Sequence, residues 1–281
     1  MPDLIINFAP TGMIPTKKLT PYVPITIDEI INEVIEAIDI GITMVHLHAR
    51  DINEAPTYDS KVYAAIIEGI RNYNQEIVIC VSLSGRDFKE FEKRSNPLTL
   101  KGDLKPDMGS LTLSSMNFLQ QASVNSPEMV QDLAKYMRDN GIVPENEAFD
   151  VGMINYMKYL IKKGIINLPY YINLFVGNIA TAQLNLVHIG AMISDLPANG
   201  YWSLAGIGES QRPANIIGLI MGGGIRIGLE DSMTMNGCLI KNRDLLCVTH
   251  DTAKLANKKM MSSKVFRQLI NMKTGTGGFG R

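Results

Sequence analysis

Apolar and polar positions follow two alternating periods along this chain. Short, mostly apolar runs, such as residues 4–9 (LIINFA) and 170–177 (YYINLFVG), are typical of buried strands. Between such runs, apolar residues recur every three or four positions, as in residues 26–41 and 126–141, which predicts amphipathic helices. Strands that each precede a helix lie parallel in one sheet, so the pattern predicts an α/β fold.

Eight strand–helix units can be assigned. Strands are predicted at residues 4–9, 43–49, 76–84, 108–115, 143–150, 170–177, 201–208 and 224–231. Helices are predicted at residues 26–41, 59–73, 97–104, 126–141, 153–164, 182–196, 213–223 and 242–259. Eight units close naturally into a (β/α)8 TIM barrel, and residues 262–271 predict an extra C-terminal helix. An open doubly wound sheet is the alternative, but its G-x-G-x-x-G signature does not follow the first strand.

The ends of several helices also have recognisable signals. Thr26 and Glu29 form a capping-box pattern at the start of the first helix, and Gly41 suits its C-terminal end. Ser126 suits an N-cap, with Pro127 at the first helical position.

Length and composition restrict the choice of architecture and partners. The 281 residues match one barrel, so we predict a single domain over 1–281, with residues 273–281 as a flexible glycine-rich tail. A net charge of −1 with no basic block argues against nucleic acid or an anionic membrane as a partner. No signal-peptide pattern or membrane-spanning run is found, and the cysteine number is odd, which predicts a cytoplasmic protein with reduced thiols.

His46 and His48 are the first candidates for chemistry. They lie two positions apart in the predicted second strand (TMVHLHAR), so both imidazoles should point to one face. Two converging imidazoles are a common way to hold a divalent metal. The alternative is a pair of ordinary histidines that hydrogen-bond to carbonyl groups. His188 and His250 lie in predicted amphipathic helices, and we expect structural roles for them.

A third metal ligand can come from the end of the predicted eighth strand. Glu230 and Asp231 lie there, at the rim where barrel enzymes carry their reactive groups. Strand eight closes against strand one, which lies beside strand two, so Glu230 can approach the two histidines. Two histidines and one carboxylate would leave positions open for water or substrate, as in catalytic Zn²⁺ sites. The alternative is a carboxylate that only favours the start of the next helix.

Further polar side chains are predicted at inward-facing rim positions. Glu145 and Glu147 share a face of strand five, where two carboxylates are costly to bury unless a cation accompanies them. Arg226 is the obvious cation, and contact with solvent or backbone is the alternative. Strands three and four add hydroxyl groups from Ser82, Ser84, Ser110, Thr112 and Ser114.

These residues lie in motifs that resemble the β-keto acid cleavage enzymes, the family of 3-keto-5-aminohexanoate cleavage enzyme. The motifs are VPITIDEI, HLHARD, VPENEAFDVGM, AGIG and GGGIRIGLEDS, in order from about residue 4 to about residue 270. The family is a (β/α)8 barrel, typically a homotetramer, with one divalent metal that is usually zinc. By this resemblance, a β-keto acid condenses with acetyl-CoA, and retro-Claisen cleavage releases acetoacetate and a new acyl-CoA.

The resemblance also implies roles for individual residues. His46, His48 and Glu230 would be the metal ligands, and Asp231 would be the catalytic base. Arg226, Ser82 and Glu147 would assist it. Ser84, Ser110, Thr112 and Ile14 would contact the substrate. A metal near the 3-oxo group would acidify the α-carbon, so a carboxylate base with an ordinary pKa could remove the proton.

Several loops differ from the family pattern in ways that concern the substrate. Ile14 occupies the position where the aminohexanoate enzyme has a glutamate that faces the substrate amino group. The loop after strand three reads SLSGR and so adds Arg86. Other differences are Gly224 for histidine, Ser232 for asparagine, GNIATAQ after strand six and GIGES after strand seven.

Two other functions are compatible with the same residues. One is a metal-dependent aldolase or hydrolase that works without CoA. The other is a degenerate barrel that binds a metabolite without turnover. Turnover of β-keto acids with and without acetyl-CoA separates these alternatives from acyl transfer.

Overall fold

Eight parallel strands form a closed barrel in the computed structural model, which describes residues 3–272. The strands are β1 (Ile5–Phe8), β2 (Met44–Leu47), β3 (Val78–Val81), β4 (Met108–Thr112), β5 (Val143–Ala148), β6 (Tyr170–Val176), β7 (Gly200–Gly206) and β8 (Gly224–Ile227). Each strand pairs with the next one in sequence, and β8 closes the ring against β1. The predicted (β/α)8 barrel is therefore confirmed.

Most of the helices surround this barrel, and the last one closes one end of it. The helices are α1 (Ile27–Ile40), α2 (Ser60–Tyr73), α3 (Phe91–Ser95), α4 (Pro127–Asp139), α5 (Val151–Lys162), α6 (Leu186–Ser194), α7 (Gln211–Met221), α8 (Asn242–Leu255) and α9 (Ser263–Leu269). The capping box of Thr26 and Glu29 is formed at the start of α1, and Ser126 caps α4. The extra C-terminal helix is α9, whereas the predicted tail at 273–281 lies outside the described residues. No helix within residues 3–272 has the length and apolar character needed to cross a membrane.

Three helix predictions differ from the structure by four residues or more, and one of them is the helix predicted at 242–259, which ends at Leu255. The segment predicted as a helix at 97–104 contains only short 3₁₀ turns, Asn96–Thr99 and Gly102–Leu104. Pro97 has no N–H to donate to an α-helical bond, and the true helix, α3, forms just before it. Helix α6 begins at Leu186 rather than at 182, because the Asn185 side chain caps it there.

The strand β8 ends earlier than predicted. It stops at Ile227, and Gly228 then turns with a φ of 151°. A Cβ at Gly228 would lie 2.0 Å from the carbonyl oxygen of Ala9, so only glycine allows this close approach. The predicted shared strand face for Arg226, Gly228 and Glu230 is therefore wrong: Arg226 lies on the strand, and Glu230 follows on a turn.

Three short antiparallel hairpins lie outside the barrel and were not predicted. They pair Ala49–Arg50 with Pro56–Thr57, Met116–Asn117 with Ala122–Ser123, and Thr234–Met235 with Cys238–Leu239. Each follows a barrel strand, so all three belong to the loops at the carboxyl ends of the strands.

Helix α9 closes the opposite, amino-terminal end of the barrel. Phe266 is fully buried and meets the Tyr171 ring edge-on, with 5.3 Å between centroids. Next to it, Arg267 donates to both carboxylate oxygens of Asp107, at 2.7 and 2.8 Å, and Arg71 donates to one of them at 3.2 Å. The buried Asp107 therefore ties α9 and α2 to the start of β4.

We expect Asp107→Ala to lower the free energy of unfolding by about 3–5 kcal/mol, because two buried arginines would lose their shared carboxylate. The measurement is urea denaturation followed by circular dichroism. Asp195→Ala removes an ion pair with Lys158 on the surface, where both side chains are more than one third exposed, and should cost below about 1 kcal/mol. Equal effects of the two substitutions would contradict this role for Asp107.

Candidate active site

A cavity of about 730 Å³ opens at the carboxyl ends of the strands. It has the size of a small-molecule site and lies where barrel enzymes place their reactive groups. Most of the residues predicted at the rim line it: Ile14, His46, His48, Ser82, Ser84, Ser110, Thr112, Glu147, Arg226, Glu230 and Asp231. Ser114 and Glu145 do not. The structure thus brings together residues from most of the strand–loop units.

His46 and His48 converge at the floor of this cavity. His46 lies on β2, His48 directly follows it, and both are buried. Their Nε2 atoms are 3.2 Å apart, as expected for side chains on one strand face. Glu230 completes the group, with Oε1 3.1 Å from Nε2 of His48 and 3.9 Å from Nε2 of His46.

This group fits a divalent metal. Ligands that lie 2.0–2.1 Å from a tetrahedral Zn²⁺ are separated from each other by about 3.3 Å, close to the spacing of these three side chains. The second carboxylate oxygen of Glu230 is buried and has no hydrogen-bond partner among the described residues. Burial lowers the pKa of His48 to about 4, against the opposing charge of Glu230, so this imidazole is neutral as a ligand requires.

Glu145 lies beneath His46 rather than at the rim. Its Oε2 is 2.5 Å from Nδ1 of His46 and accepts a hydrogen bond from Cys80, while Oε1 accepts from Asn173 and from Asn7. Burial favours the neutral carboxyl, but the neighbouring His46 outweighs this and lowers the pKa of Glu145. Burial acts to lower the pKa of His46, but the charges of Glu145 and Glu230 outweigh it and raise that pKa. In the neutral imidazole the hydrogen is on Nδ1, because a carboxylate only accepts, and Nε2 is then the nitrogen that can bind a metal.

Arg226 connects the carboxylates of the site. It is almost completely buried, and it donates to Glu230 through Nη2 at 2.6 Å and to Asp231 through Nε at 3.0 Å. Its Nη1 lies 3.7 Å from Glu147 and 3.9 Å from Glu145. Burial alone would lower the pKa of Arg226, but these carboxylates hold it well above its ordinary value. The predicted pairing of the two glutamates of β5 with Arg226 is therefore present at ion-pair distance.

Asp231 lies at the cavity wall, directly after Glu230 in the chain. Burial raises the pKa of Asp231 to about 6, although Arg226 acts in the opposite direction. For Glu230, burial also acts to raise the pKa, but Arg226 and the histidines outweigh it and lower that pKa well below its ordinary range. The two neighbouring carboxylates are thus differentiated by their surroundings, as acid–base sites require.

The hydroxyl residues have more varied positions than predicted. Thr112 donates to Oε2 of Glu147 at 2.6 Å, and burial raises the pKa of that glutamate. Ser110 accepts from the backbone N–H of Leu83 at 2.9 Å, so it also supports the loop after β3. Ser82 and Ser84 are half-buried at the cavity wall. Ile14 is 46% exposed and also lines the cavity.

Sequence reasoning missed two parts of the site. One is the position of Glu145 below His46. The spacing of Glu145 and Glu147 shows that they share a face of the strand, but it does not show how deep in the barrel each side chain lies. The other is an aromatic wall that lines the cavity, formed by Phe118, Phe149 and Phe175. Phe149 directly follows β5, and Phe175 is the last residue but one of β6. In the sequence, both are typical of ordinary core residues.

The histidines outside the site are structural. His188 accepts a hydrogen bond from the backbone N–H of Gln183 at 2.8 Å, next to the start of α6. His250 lies on α8, with Nε2 2.9 Å from the carbonyl oxygen of Gly41. Neither lines the cavity.

Comparison with known proteins gives consistent matches. The family model described as beta-keto acid cleavage enzyme matches residues 3–272. A 3-keto-5-aminohexanoate cleavage enzyme of Acetoanaerobium sticklandii is 32% identical over 83% of this chain and 84% of its own. A 3-oxoadipate:acetyl-CoA acetyltransferase of Cupriavidus necator is 34% identical over 83% of this chain and 81% of its own.

Solved structures show the same fold. The apo structure of ObcA superposes with a TM-score of 0.78 at 16% identity, over 90% of this chain and 66% of that chain. The ternary complex of ObcA with a C4-CoA adduct and oxalate gives a TM-score of 0.78 at 17% identity, over 89% and 68% of the two chains. At this identity the likeness supports the barrel architecture alone.

Proposed function

The chain belongs to the family of β-keto acid cleavage enzymes, and we propose that it condenses a β-keto acid with acetyl-CoA and releases acetoacetate and a new acyl-CoA. The observation that carries this proposal is the placement of Asp231 beside the group formed by His46, His48 and Glu230 in one cavity. The name of one relative, 3-oxoadipate:acetyl-CoA acetyltransferase, supports the same reaction.

His46, His48 and Glu230 would hold a divalent metal, for which we propose zinc. A metal at this point would polarise the 3-oxo group of the substrate and so acidify its C2 carbon. The neutral His48 and the ionised Glu230 are in the protonation states that metal binding needs.

Asp231 would remove a proton from C2. With a pKa near 6, it is mostly ionised at neutral pH and is still a stronger base than an ordinary aspartate. The hydrogen bond from Nε of Arg226 fixes its orientation. Glu147, held by Thr112, and Ser82 lie at the same wall and would assist by positioning the reactants and their protons.

The carbon–carbon chemistry then has two stages. The C2 carbanion attacks the carbonyl carbon of acetyl-CoA, and the CoA thiolate leaves. This thiolate attacks the C3 carbonyl, the C2–C3 bond breaks, and acetoacetate departs with the original carboxylate. The acyl group that contains C3 is now bound to CoA as a thioester, and the carbanion left on C2 takes back the proton that Asp231 removed. Ser84, Ser110, Thr112 and Ile14 would contact the substrate from the cavity wall.

A panel of β-keto acids, assayed with acetyl-CoA and Zn²⁺, tests this function, with acyl-CoA products identified by mass. We expect acetoacetate and one new acyl-CoA in equal amounts. The same panel without acetyl-CoA is the control. Cleavage that needs no acetyl-CoA would favour the aldolase or hydrolase alternative, and ligand binding without any product would favour the degenerate barrel.

We also propose, from the family, that the chain acts as a homotetramer in the cytoplasm. Large apolar side chains on outer helices fit burial in an interface between subunits. Leu186 and Val187 on α6 are 75% and 79% exposed, and Ile220 and Met221 on α7 are each 59% exposed.

Glu145→Gln is expected to weaken metal binding about 10- to 100-fold, because a ligand histidine depends on the partner of its other ring nitrogen. The metal affinity of the protein, measured by competition with a chromophoric chelator, tests this. Glu76→Gln, an exposed change away from the cavity, is the control and should leave the affinity unaltered. If Glu145→Gln bound metal as tightly as the native chain, the orienting role of Glu145 would be wrong.

5-Amino-3-ketohexanoate is expected to be a poor substrate, with kcat/KM at least about tenfold below that of 3-oxohexanoate. Its ammonium group would meet Met13 and Ile14, which offer no charge. Glu145 cannot replace the missing carboxylate, because it is fully buried beneath His46. Steady-state kinetics with both acids provide the measurement.

The matched variants for this prediction are Ile14→Glu and Ile14→Gln. Only Ile14→Glu should raise kcat/KM for 5-amino-3-ketohexanoate relative to that for 3-oxohexanoate, since only glutamate supplies a negative charge. A clear preference of the native chain for the amino compound would contradict the assigned role of position 14.

A further inference from the structure

Arg86 and Phe118 form a pair at the wall of the cavity. The guanidinium carbon of Arg86 lies 3.6 Å from the centroid of the Phe118 ring, and both residues line the cavity. This contact places the guanidinium group over the face of the ring, and a guanidinium group held there can bind a planar anion through two of its N–H groups.

The backbone holds this pair in place. Arg86 follows β3, and Phe118 lies in the hairpin that joins Met116–Asn117 to Ala122–Ser123. The backbone N–H of Val124, just after the hairpin, donates to the carbonyl oxygen of Gly85 at 3.0 Å. A Cβ at Gly85 would lie 2.4 Å from the carbonyl oxygen of Val124, so the two segments approach closely only because this residue is glycine.

Arg86 has no ion pair of its own. Within residues 3–272, no carboxylate lies at ion-pair distance from its guanidinium, whereas Arg226 is surrounded by them. Burial lowers the pKa of Arg86, and more distant carboxylates act against this. A half-buried cation without a partner is costly, and an anionic ligand would remove that cost.

The aromatic wall connects this cation to the reaction centre. Phe118 meets Phe149 edge-on at 5.8 Å, and Phe149 stacks on Phe175 at 4.4 Å. The Phe175 ring centroid lies 5.1 Å from the guanidinium carbon of Arg226. The rings therefore form a continuous apolar surface, with Arg86 at one end and Arg226 with its neighbouring carboxylates at the other.

We infer that Arg86 binds a second acidic group of the substrate, at the end remote from the keto group. This inference rests on the proposed function and narrows it to β-keto dicarboxylic acids. The reacting C1–C3 part would lie at Asp231, and the methylene groups would lie along the aromatic wall. The distal carboxylate would accept two hydrogen bonds from Arg86.

Binding of an unreactive dianion tests the inference without any turnover. The probes are adipate and hexanoate, which differ only in the distal carboxylate, and isothermal calorimetry on the metal-loaded protein gives their affinities. Adipate should bind at least about tenfold more tightly than hexanoate. Arg86→Gln should remove this difference, and Arg86→Lys should keep part of it because it retains the charge but not the planar fork.

Kinetics with 3-oxohexanedioate and 3-oxohexanoate form the second arm. Arg86→Gln should lower kcat/KM for the diacid about 10- to 100-fold and leave the monoacid and the KM for acetyl-CoA nearly unchanged. Equal losses for both acids would show that Arg86 binds the carboxylate common to them. A change confined to the KM for acetyl-CoA would show that it binds the phosphates of CoA. Either result, or no effect at all, overturns the inference.

The two arms separate this inference from the proposed function. If no acyl-CoA forms from any keto acid, the proposed function fails, while the calorimetry still decides what Arg86 binds. If acyl-CoA forms but adipate and hexanoate bind equally to the native chain, the inference fails and the proposed function stands.

Discussion

Asp231→Asn is expected to lower acetoacetate formation about 10²- to 10⁴-fold while the metal remains bound. The asparagine keeps the shape of the side chain and can still face Arg226, but it cannot take a proton from C2 of the substrate. Glu230 and both histidines are untouched, so the ligand group survives. Turnover of a β-keto acid with acetyl-CoA and metal content of the same preparation are the two measurements.

The control for this substitution is Asp195→Asn, which removes a surface carboxylate paired with Lys158. It should leave both turnover and metal content as in the native chain. Full turnover in Asp231→Asn would show that another group is the base. Glu147 would be tested next, because it also lies near Arg226 and burial raises its pKa.

His46→Ala and His48→Ala are each expected to reduce bound metal from about one equivalent per chain to nearly none, with loss of turnover. Removing one imidazole leaves two protein ligands, fewer than the three that catalytic zinc sites use. Metal analysis of protein purified without added metal provides the measurement, and circular dichroism verifies that each variant is folded.

His188→Ala and His250→Ala are matched controls for these substitutions, since both histidines lie away from the cavity. They should keep their metal. Undiminished metal in both His46→Ala and His48→Ala would mean that the ligands have been assigned to the wrong residues.

Much of the barrel could be predicted because each of its strands and most of its helices have a strong local pattern. The first helix has apolar positions at helical spacing, and Thr26 and Glu29 mark its start at the residue where the structure begins it. Ser126 and Pro127 do the same for α4. Such signals depend on neighbours in the chain and therefore appear in one sequence.

The wrong prediction of a helix at residues 97–104 shows why other parts could not be predicted. Arg94 on α3 donates to the carbonyl oxygen of Leu83 at 2.8 Å and to the side chain of Asn125 at 2.8 Å. These contacts come from segments that are distant in sequence, and they select where the chain turns into a helix. The two-residue strands of the hairpins are likewise too short for any period to be recognised.

In the candidate site, too, some features follow from the local sequence and others depend on contacts between distant segments. The histidine pair could be located because the strand period places both imidazoles on one face. Glu145 could not, because its position below His46 depends on how far β5 is shifted relative to β2 around the barrel. Glu230 reaches the histidines from a turn rather than from a strand, and that turn depends on the contact of Gly228 with Ala9.

The hairpin that carries Phe118 is separate from the strands that carry the proposed ligands and base. Changes in its length or sequence can alter the far end of the cavity without moving His46, His48, Glu230 or Asp231. Related genes could therefore diverge in substrate range by exchanging this one insertion. Transplanting residues 116–123 between relatives offers a direct way to redesign acyl-CoA products on an unchanged catalytic framework.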